Sequence, residues 1–115
     1  MIVCVAHNII SPLGTTSAEN YTAVKKGMSA LKRYDGLWGL PEPFVASLVD
    51  KNAFVDYRHT IDEKIAIDSV SMALRDTHID TTWTRVLFVI STTKGNVFLL
   101  DKRENGFPKD RVRLG

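Results

Sequence analysis

Two apolar runs frame the chain, Ile2-Val3-Cys4-Val5-Ala6 near its start and Val86-Leu87-Phe88-Val89-Ile90 farther on. Neither alternates with polar residues, so each predicts a short strand covered on both faces, as strands of parallel sheets are. Between them the apolar period lengthens to that of a helix. Ala66, Ile67, Val70, Ala73 and Leu74 fall on one face of a helix over Ile61–His78, with Lys64, Asp68, Ser71 and Arg75 opposite. Thr60 and Glu63 have the spacing of a capping box, in which each side chain accepts from the other residue's backbone N–H.

A second helix is predicted over Thr16–Lys26. Thr16 and Glu19 form its capping box, and Lys25 and Lys26 sit where cations favour the C-terminal end of the helix dipole. Gly27 can take the left-handed conformation that ends it. Tyr21, Val24 and Met28 give this helix an apolar stripe. Residues Arg33–Pro43, with Gly36, Gly39, Pro41 and Pro43, read as a loop that tucks Leu37, Trp38 and Leu40 against the body. Phe44–Val49 reads as a short strand. Beyond strand Arg85–Ser91, a helical pattern runs from Asn96 to Lys102, Asn105-Gly106-Phe107-Pro108 breaks it, and Asp110–Leu114 begins another element.

Apolar strands joined by amphipathic helices imply an α/β layered sheet with right-handed crossovers. Ile2–Ala6 and Val86–Ile90 are then adjacent and parallel, and the helix Ile61–His78 packs across them through Ala66, Ile67, Val70 and Leu74. Such a sheet needs helices on both faces, and the chain has too few to supply them. The architecture reads as unfinished.

Composition narrows the classes. A chain of 115 residues fits one domain, and 44% hydrophobic with 24% charged residues is the make-up of an ordinary globular protein. A formal charge of +2 gives no reason to expect nucleic acid, and Lys109, Arg111 and Arg113 read as a solvated tail. No apolar stretch approaches the roughly 20 residues that span a bilayer, so no membrane partner is expected. The start lacks the pattern of a signal peptide. A single cysteine cannot form an intramolecular disulfide, and a cytoplasmic location is the expectation.

Residues that could carry chemistry are sparse. Cys4 lies inside an apolar run, where a thiol behaves as a small inert hydrophobe. His7, His59 and His78 lack the spacing of a metal site; His7, at a strand end, reads as a loop histidine with local hydrogen bonds. The loop Ser91-Thr92-Thr93-Lys94-Gly95-Asn96 lacks the order of glycines and lysine of a P-loop and reads as a structural turn with capping. Asp62 with Glu63, and Asp101 with Glu104, read as caps and solvated surface. No catalytic, cofactor-binding or metal-binding residue is assigned.

One ordered set of features nevertheless carries a resemblance. Ser11-Pro12-Leu13-Gly14 follows the first apolar run, Lys26-Gly27-Met28-Ser29 ends the first helix, and Asp62–Thr77, Val86–Ile90 and Ser91–Asn96 follow in turn. The chain thereby resembles the front part of the β-ketoacyl-(acyl-carrier-protein) synthases, the condensing enzymes of the thiolase fold. It looks like a divergent member, with Ala6, His7 and Asn8 where relatives carry glycines. The resemblance implies a partial thiolase-like layered fold, with a mainly parallel sheet and flanking helices, as a single domain over residues 1–115. It further implies a 3-oxoacyl-(acyl-carrier-protein) synthase, an acyltransferase of fatty-acid or polyketide biosynthesis whose partner is acyl carrier protein. The family's nucleophilic cysteine and its histidine partners lie farther along than this chain reaches, so the chain alone is expected to be inactive. The uncovered sheet suggests a homo-oligomer. The alternative is a small non-catalytic α/β interaction module.

Overall fold

The computed structural model describes residues 1–82 and 85–93, together with Asn96 and Leu99. Its α/β content is arranged as helix α1 (Ser17–Lys25), strand β1 (Lys32–Tyr34), a 3₁₀ turn (Leu37–Gly39), strand β2 (Phe44–Ala46), a second 3₁₀ turn (Lys51–Phe54) and helix α2 (Ile61–Leu74).

Both helices start where their caps predict. The Thr16 side chain accepts from the Glu19 backbone N–H while the Glu19 carboxylate accepts from the backbone of Thr16, and Thr60 and Glu63 repeat the exchange at α2. Each box satisfies donors that a helix start leaves without partners. At the other end of α1, Gly27 adopts φ 72°, its N–H donates to Val24 and the Met28 N–H donates to Ala23. This pair of bonds is a Schellman motif, which closes the last turn through a left-handed residue. Helix α2 stops at Leu74, short of the predicted His78, where the Thr77 hydroxyl and N–H both donate to the Leu74 carbonyl.

The sheet differs from expectation. It is a two-stranded antiparallel hairpin in which Lys32, Arg33 and Tyr34 face Ala46, Val45 and Phe44. Of the strand expected over Phe44–Val49 the first three residues form β2; its partner overlaps the start of the segment Arg33–Pro43 that reads as loop. Aromatic stacking holds the hairpin. Phe44 stacks on Tyr34 and on Trp38, each at 5.6 Å between centroids. Trp38 therefore packs on the hairpin but stays mostly exposed, in a left-handed conformation (φ 58°) that a side chain takes only at a cost of about 1–3 kcal/mol. Leu40 is likewise exposed rather than tucked in.

Among the described residues neither Ile2–Ala6 nor Val86–Ile90 is a strand, so the expected parallel pairing is not formed. Cys4, expected in the core, is exposed, as are Val3, Val5 and every residue of Val86–Ile90. The physical reason is shared: among the described residues only the C-terminal end of α2 lies beside these runs, which leaves them open to solvent, so continuous apolarity does not translate into burial. The helix faces shift accordingly. Tyr21, Val24 and Met28 face solvent while α1 buries Asn20 and Ala23. No residue of α2 is fully buried; Ile67 and Val70 are 44% exposed, and Leu74 is half-buried. Ala23, Phe54 and Leu99 are the buried apolar residues among those described, and α2 packs on the 3₁₀ turn that carries Phe54.

Candidate functional site

The turn that opens the chain's resemblance is built from the residues its sequence predicts, but a residue outside that motif holds it. Ser11 and Gly14 exchange backbone hydrogen bonds of 2.9 and 3.1 Å across Pro12 and Leu13, and the Ser11 hydroxyl accepts from the Leu13 N–H. Gly14 has no substitute here, because a Cβ at that position would lie 2.5 Å from the Cβ of Glu19. Asn20, reaching up from the second turn of α1, shares the two hydrogens of its Nδ2 among the carbonyls of Ile9 (3.0 Å), Gly14 (2.9 Å) and Thr16 (2.8 Å) and accepts from the Ser11 hydroxyl. It is 7% exposed. A polar side chain so placed is stable only because its donors and acceptor are satisfied.

Glu19 performs the same service at the mouth of the turn. Its Oε2 accepts from the N–H groups of Thr15 (2.8 Å) and Thr16 (3.0 Å) and from the Thr15 hydroxyl. The Thr15 N–H first, and the Thr16 N–H next, hold the Glu19 carboxyl below its ordinary pKa. A carboxyl whose pKa is lowered by folding stabilises the fold above its unfolded pKa, and the gain disappears as pH falls through the folded value. The helicity difference between wild type and Glu19→Gln should therefore be full at neutral pH, begin to shrink as pH falls into the ordinary carboxylate range and disappear once the folded carboxyl, whose pKa lies below that range, is protonated. A difference that does not change with acidification would show that the carboxylate's charge does not matter to the cap. Far-UV circular dichroism reads both outcomes.

Beside the turn opens a cavity of about 450 Å³, walled by Ser11–Thr15 on one side and by Tyr34, Leu48, Val49 and Phe54 on the other, with Lys32 and Asp50 at its polar margin. A second cleft, of about 430 Å³, is apolar. Val3, Cys4, Val5 and Ala6 form one wall, Val86, Leu87 and Phe88 another, and Val70, Ala73 and Leu74 of α2 the third. The two runs that frame the sequence thus meet at the C-terminal end of α2, without joining in a ladder.

The groups with possible chemistry are kept apart. Cys4 donates weakly to the Ala6 carbonyl at 3.5 Å, and His7 Nδ1 is hydrogen-bonded to the Ser17 hydroxyl at 2.9 Å, at the start of α1. Among the described residues no base is hydrogen-bonded to the thiol to generate a thiolate. His59 Nδ1 lies 2.7 Å from Asp56 Oδ2, and this bond, before the Arg58 N–H, holds the Asp56 carboxyl below its ordinary value. A histidine and carboxylate so paired orient a nucleophile's base in hydrolases, but none of the hydrogen bonds among the described residues links them to a hydroxyl or thiol. Among the described residues no group of three His, Cys, Asp or Glu side chains could hold a metal ion. No helix among them is long and apolar enough to cross a membrane.

Sequence reasoning missed two organising residues, both asparagines. Asn20 is one. The other is Asn96, fully buried at the end of the Ser91–Asn96 loop, which accepts from the Thr60 hydroxyl at 2.6 Å and donates to Glu63 Oε1 at 2.8 Å. Expected as part of a capping turn for a following helix, it reaches back instead to the capping box of α2. Asp62 stands in the first turn of α2, and Glu63 is the cap its spacing predicts. Lys94, Gly95, Asp101, Glu104 and the basic residues Lys109, Arg111 and Arg113 lie outside the described residues, as do the helix expected over Asn96–Lys102 and the element expected over Asp110–Leu114, except for Asn96 and Leu99. No family model matches the chain, and neither a curated protein nor a solved structure matches it.

Proposed function

We propose that this chain is the front segment of a 3-oxoacyl-(acyl-carrier-protein) synthase, contributing scaffold rather than reacting groups. The observation that carries the reading is the apolar cleft, which gathers Val3–Ala6, Val86–Phe88 and the C-terminal end of α2 across more than half of the sequence. These are the pieces a layered α/β half-sheet brings together. The closed Ser11–Gly14 turn and the Schellman end at Lys26-Gly27-Met28-Ser29 stand at the places the family's motifs occupy, and support the same reading. In a protein that also carries the covering half, Ile2–Ala6 and Val86–Ile90 are adjacent parallel strands.

The parent activity is a decarboxylative Claisen condensation in fatty-acid or polyketide biosynthesis, with acyl carrier protein as partner. A cysteine thiolate takes an acyl group from the carrier's thioester, and malonyl-carrier protein then loses carbon dioxide. The resulting carbanion attacks the acyl-enzyme carbonyl and expels the thiolate. This needs a thiol of depressed pKa and donors aimed at the developing oxyanion. Among the described residues Cys4 and His7 provide neither, because the thiol is hydrogen-bonded only to the Ala6 carbonyl and the imidazole is turned to Ser17.

The test is to extend the protein along its parent reading frame and incubate both lengths with acyl- and malonyl-carrier protein. Mass spectrometry should find acyl-enzyme and β-ketoacyl product with the extended protein and none with residues 1–115. A reading frame that ends at Gly115, or acylation of Cys4 above a Cys4→Ser control, overturns the proposal. The first of these outcomes favours a small non-catalytic α/β interaction module, a reading that the exposed apolar runs already make physically reasonable.

A further inference from the structure

The cavity beside the Ser11–Gly14 turn has both walls built in advance. One is closed by the Asn20 hydrogen bonds, and the other stands on the β1–β2 hairpin and the 3₁₀ turn that carries Phe54. Its lining is mostly apolar, through Leu13, Met28, Leu48, Val49 and Phe54, and about 450 Å³ is a volume that small-molecule sites have. Two opposite charges stand at its margin. Asp50 is fixed there, because its Oδ1 accepts from the Asn52 N–H at 3.0 Å as the cap of the 3₁₀ turn. Neither the Lys32 ammonium nor the Asp50 carboxylate has an ion-pair partner among the described residues. Tyr34, held by its stack on Phe44, brings a ring and a hydroxyl to the same cavity.

From this we infer that the cavity binds a free α-amino acid with a large apolar side chain. Its carboxylate pairs with Lys32, its ammonium pairs with Asp50, and its side chain enters the apolar lining. Charge selects this class of ligand. An apolar anion gains Lys32 but meets Asp50, and an apolar cation gains Asp50 but meets Lys32. A zwitterion gains both. Burial of the side chain supplies most of the affinity, and the charges supply orientation, because each ion pair at an exposed margin contributes little. Walls already in place spare the ligand the cost of ordering its site. A ligand as small as phenylalanine should bind with a dissociation constant on the order of 1 mM.

This site goes beyond the condensation reading and does not depend on it. Amide-resolved NMR titration of the chain with L-phenylalanine, glycine, phenylpropionate and phenethylamine is the measurement. Phenylalanine should shift the amides of Leu13, Lys32, Asp50 and Phe54, whereas glycine, with no side chain to bury, should not. Phenylpropionate lacks the ammonium and phenethylamine lacks the carboxylate, so each should bind roughly threefold more weakly than phenylalanine. Lys32→Gln should weaken phenylalanine and phenylpropionate by about that factor and spare phenethylamine. Asp50→Asn, which keeps the Oδ1 acceptor of the cap, should weaken phenylalanine and phenethylamine and spare phenylpropionate. Lys51→Gln, next to Asp50 but outside the cavity lining, should change none of them. Absence of shifts at these amides with phenylalanine well above its expected constant, equal binding of glycine, or variants that fail to discriminate between phenylpropionate and phenethylamine, each overturns the inference.

Discussion

Replacing Asn20 by Ala is expected to destabilise the fold by about 3 kcal/mol, because one truncation strips partners from several groups at once. The Asn20 side chain bonds the carbonyls of Ile9, Gly14 and Thr16 and the hydroxyl of Ser11; the Gly14 and Thr16 carbonyls keep backbone donors in Ser11 and Asn20, while the Ile9 carbonyl and the Ser11 hydroxyl lose the partner Asn20 gives them. Each bond contributes about 1 kcal/mol net, and a group left without a partner away from water costs more than the bond was worth. Asn20→Asp should be nearly as damaging, since a carboxylate cannot donate to three carbonyls. Leucine, of the same branched outline but without polar atoms, cannot rescue it either. Urea titration followed by helical circular dichroism gives the number. A loss under about 0.5 kcal/mol, the scale of an ordinary surface substitution, would mean that the Ser11–Gly14 turn closes without its hub.

The second large effect is expected at Asn96. Its side chain ties the loop after the second apolar run to the cap of α2, through Thr60 and Glu63, across more than thirty residues of chain. Asn96→Ala leaves the Thr60 hydroxyl, itself 2% exposed, without its acceptor, and should cost about 2–3 kcal/mol. Thr60→Val removes the donor and the helix cap together, adding about 1 kcal/mol for the cap. Because the two residues share a bond, the double variant should lose clearly less than the sum of the singles. Strict additivity in a double-mutant cycle would show that the contact carries no energy.

What the sequence made legible was local. Both capping boxes and the glycine that ends α1 depend on residues a few positions apart, and each forms as its spacing predicts, while of the strand expected over Phe44–Val49 only Phe44–Ala46 forms. What depended on distant partners was harder to read. A continuous apolar run signals burial only where other layers bury it, and among the described residues Ile2–Ala6 and Val86–Ile90 stay largely exposed. The stripe of Tyr21, Val24 and Met28 failed for a related reason: α1 is fixed by the hydrogen bonds of Asn20, which turn that stripe to solvent. A buried asparagine looks like surface in a sequence, so neither Asn20 nor Asn96 announced itself. In both cases the clue was proximity to a turn or a cap with unsatisfied backbone groups. Strand β1 was hidden because Lys32 and Arg33 are polar and only Tyr34 faces inward.

Our proposal implies that the two apolar runs become neighbouring strands of one sheet in a protein that also carries the covering half. A crystal structure of the protein extended along its parent reading frame tests this most directly. The account predicts Ile2–Ala6 and Val86–Ile90 side by side and parallel, with α2 packed over them through Val70 and Leu74. The same runs found antiparallel to each other, or placed in separate sheets, would contradict it.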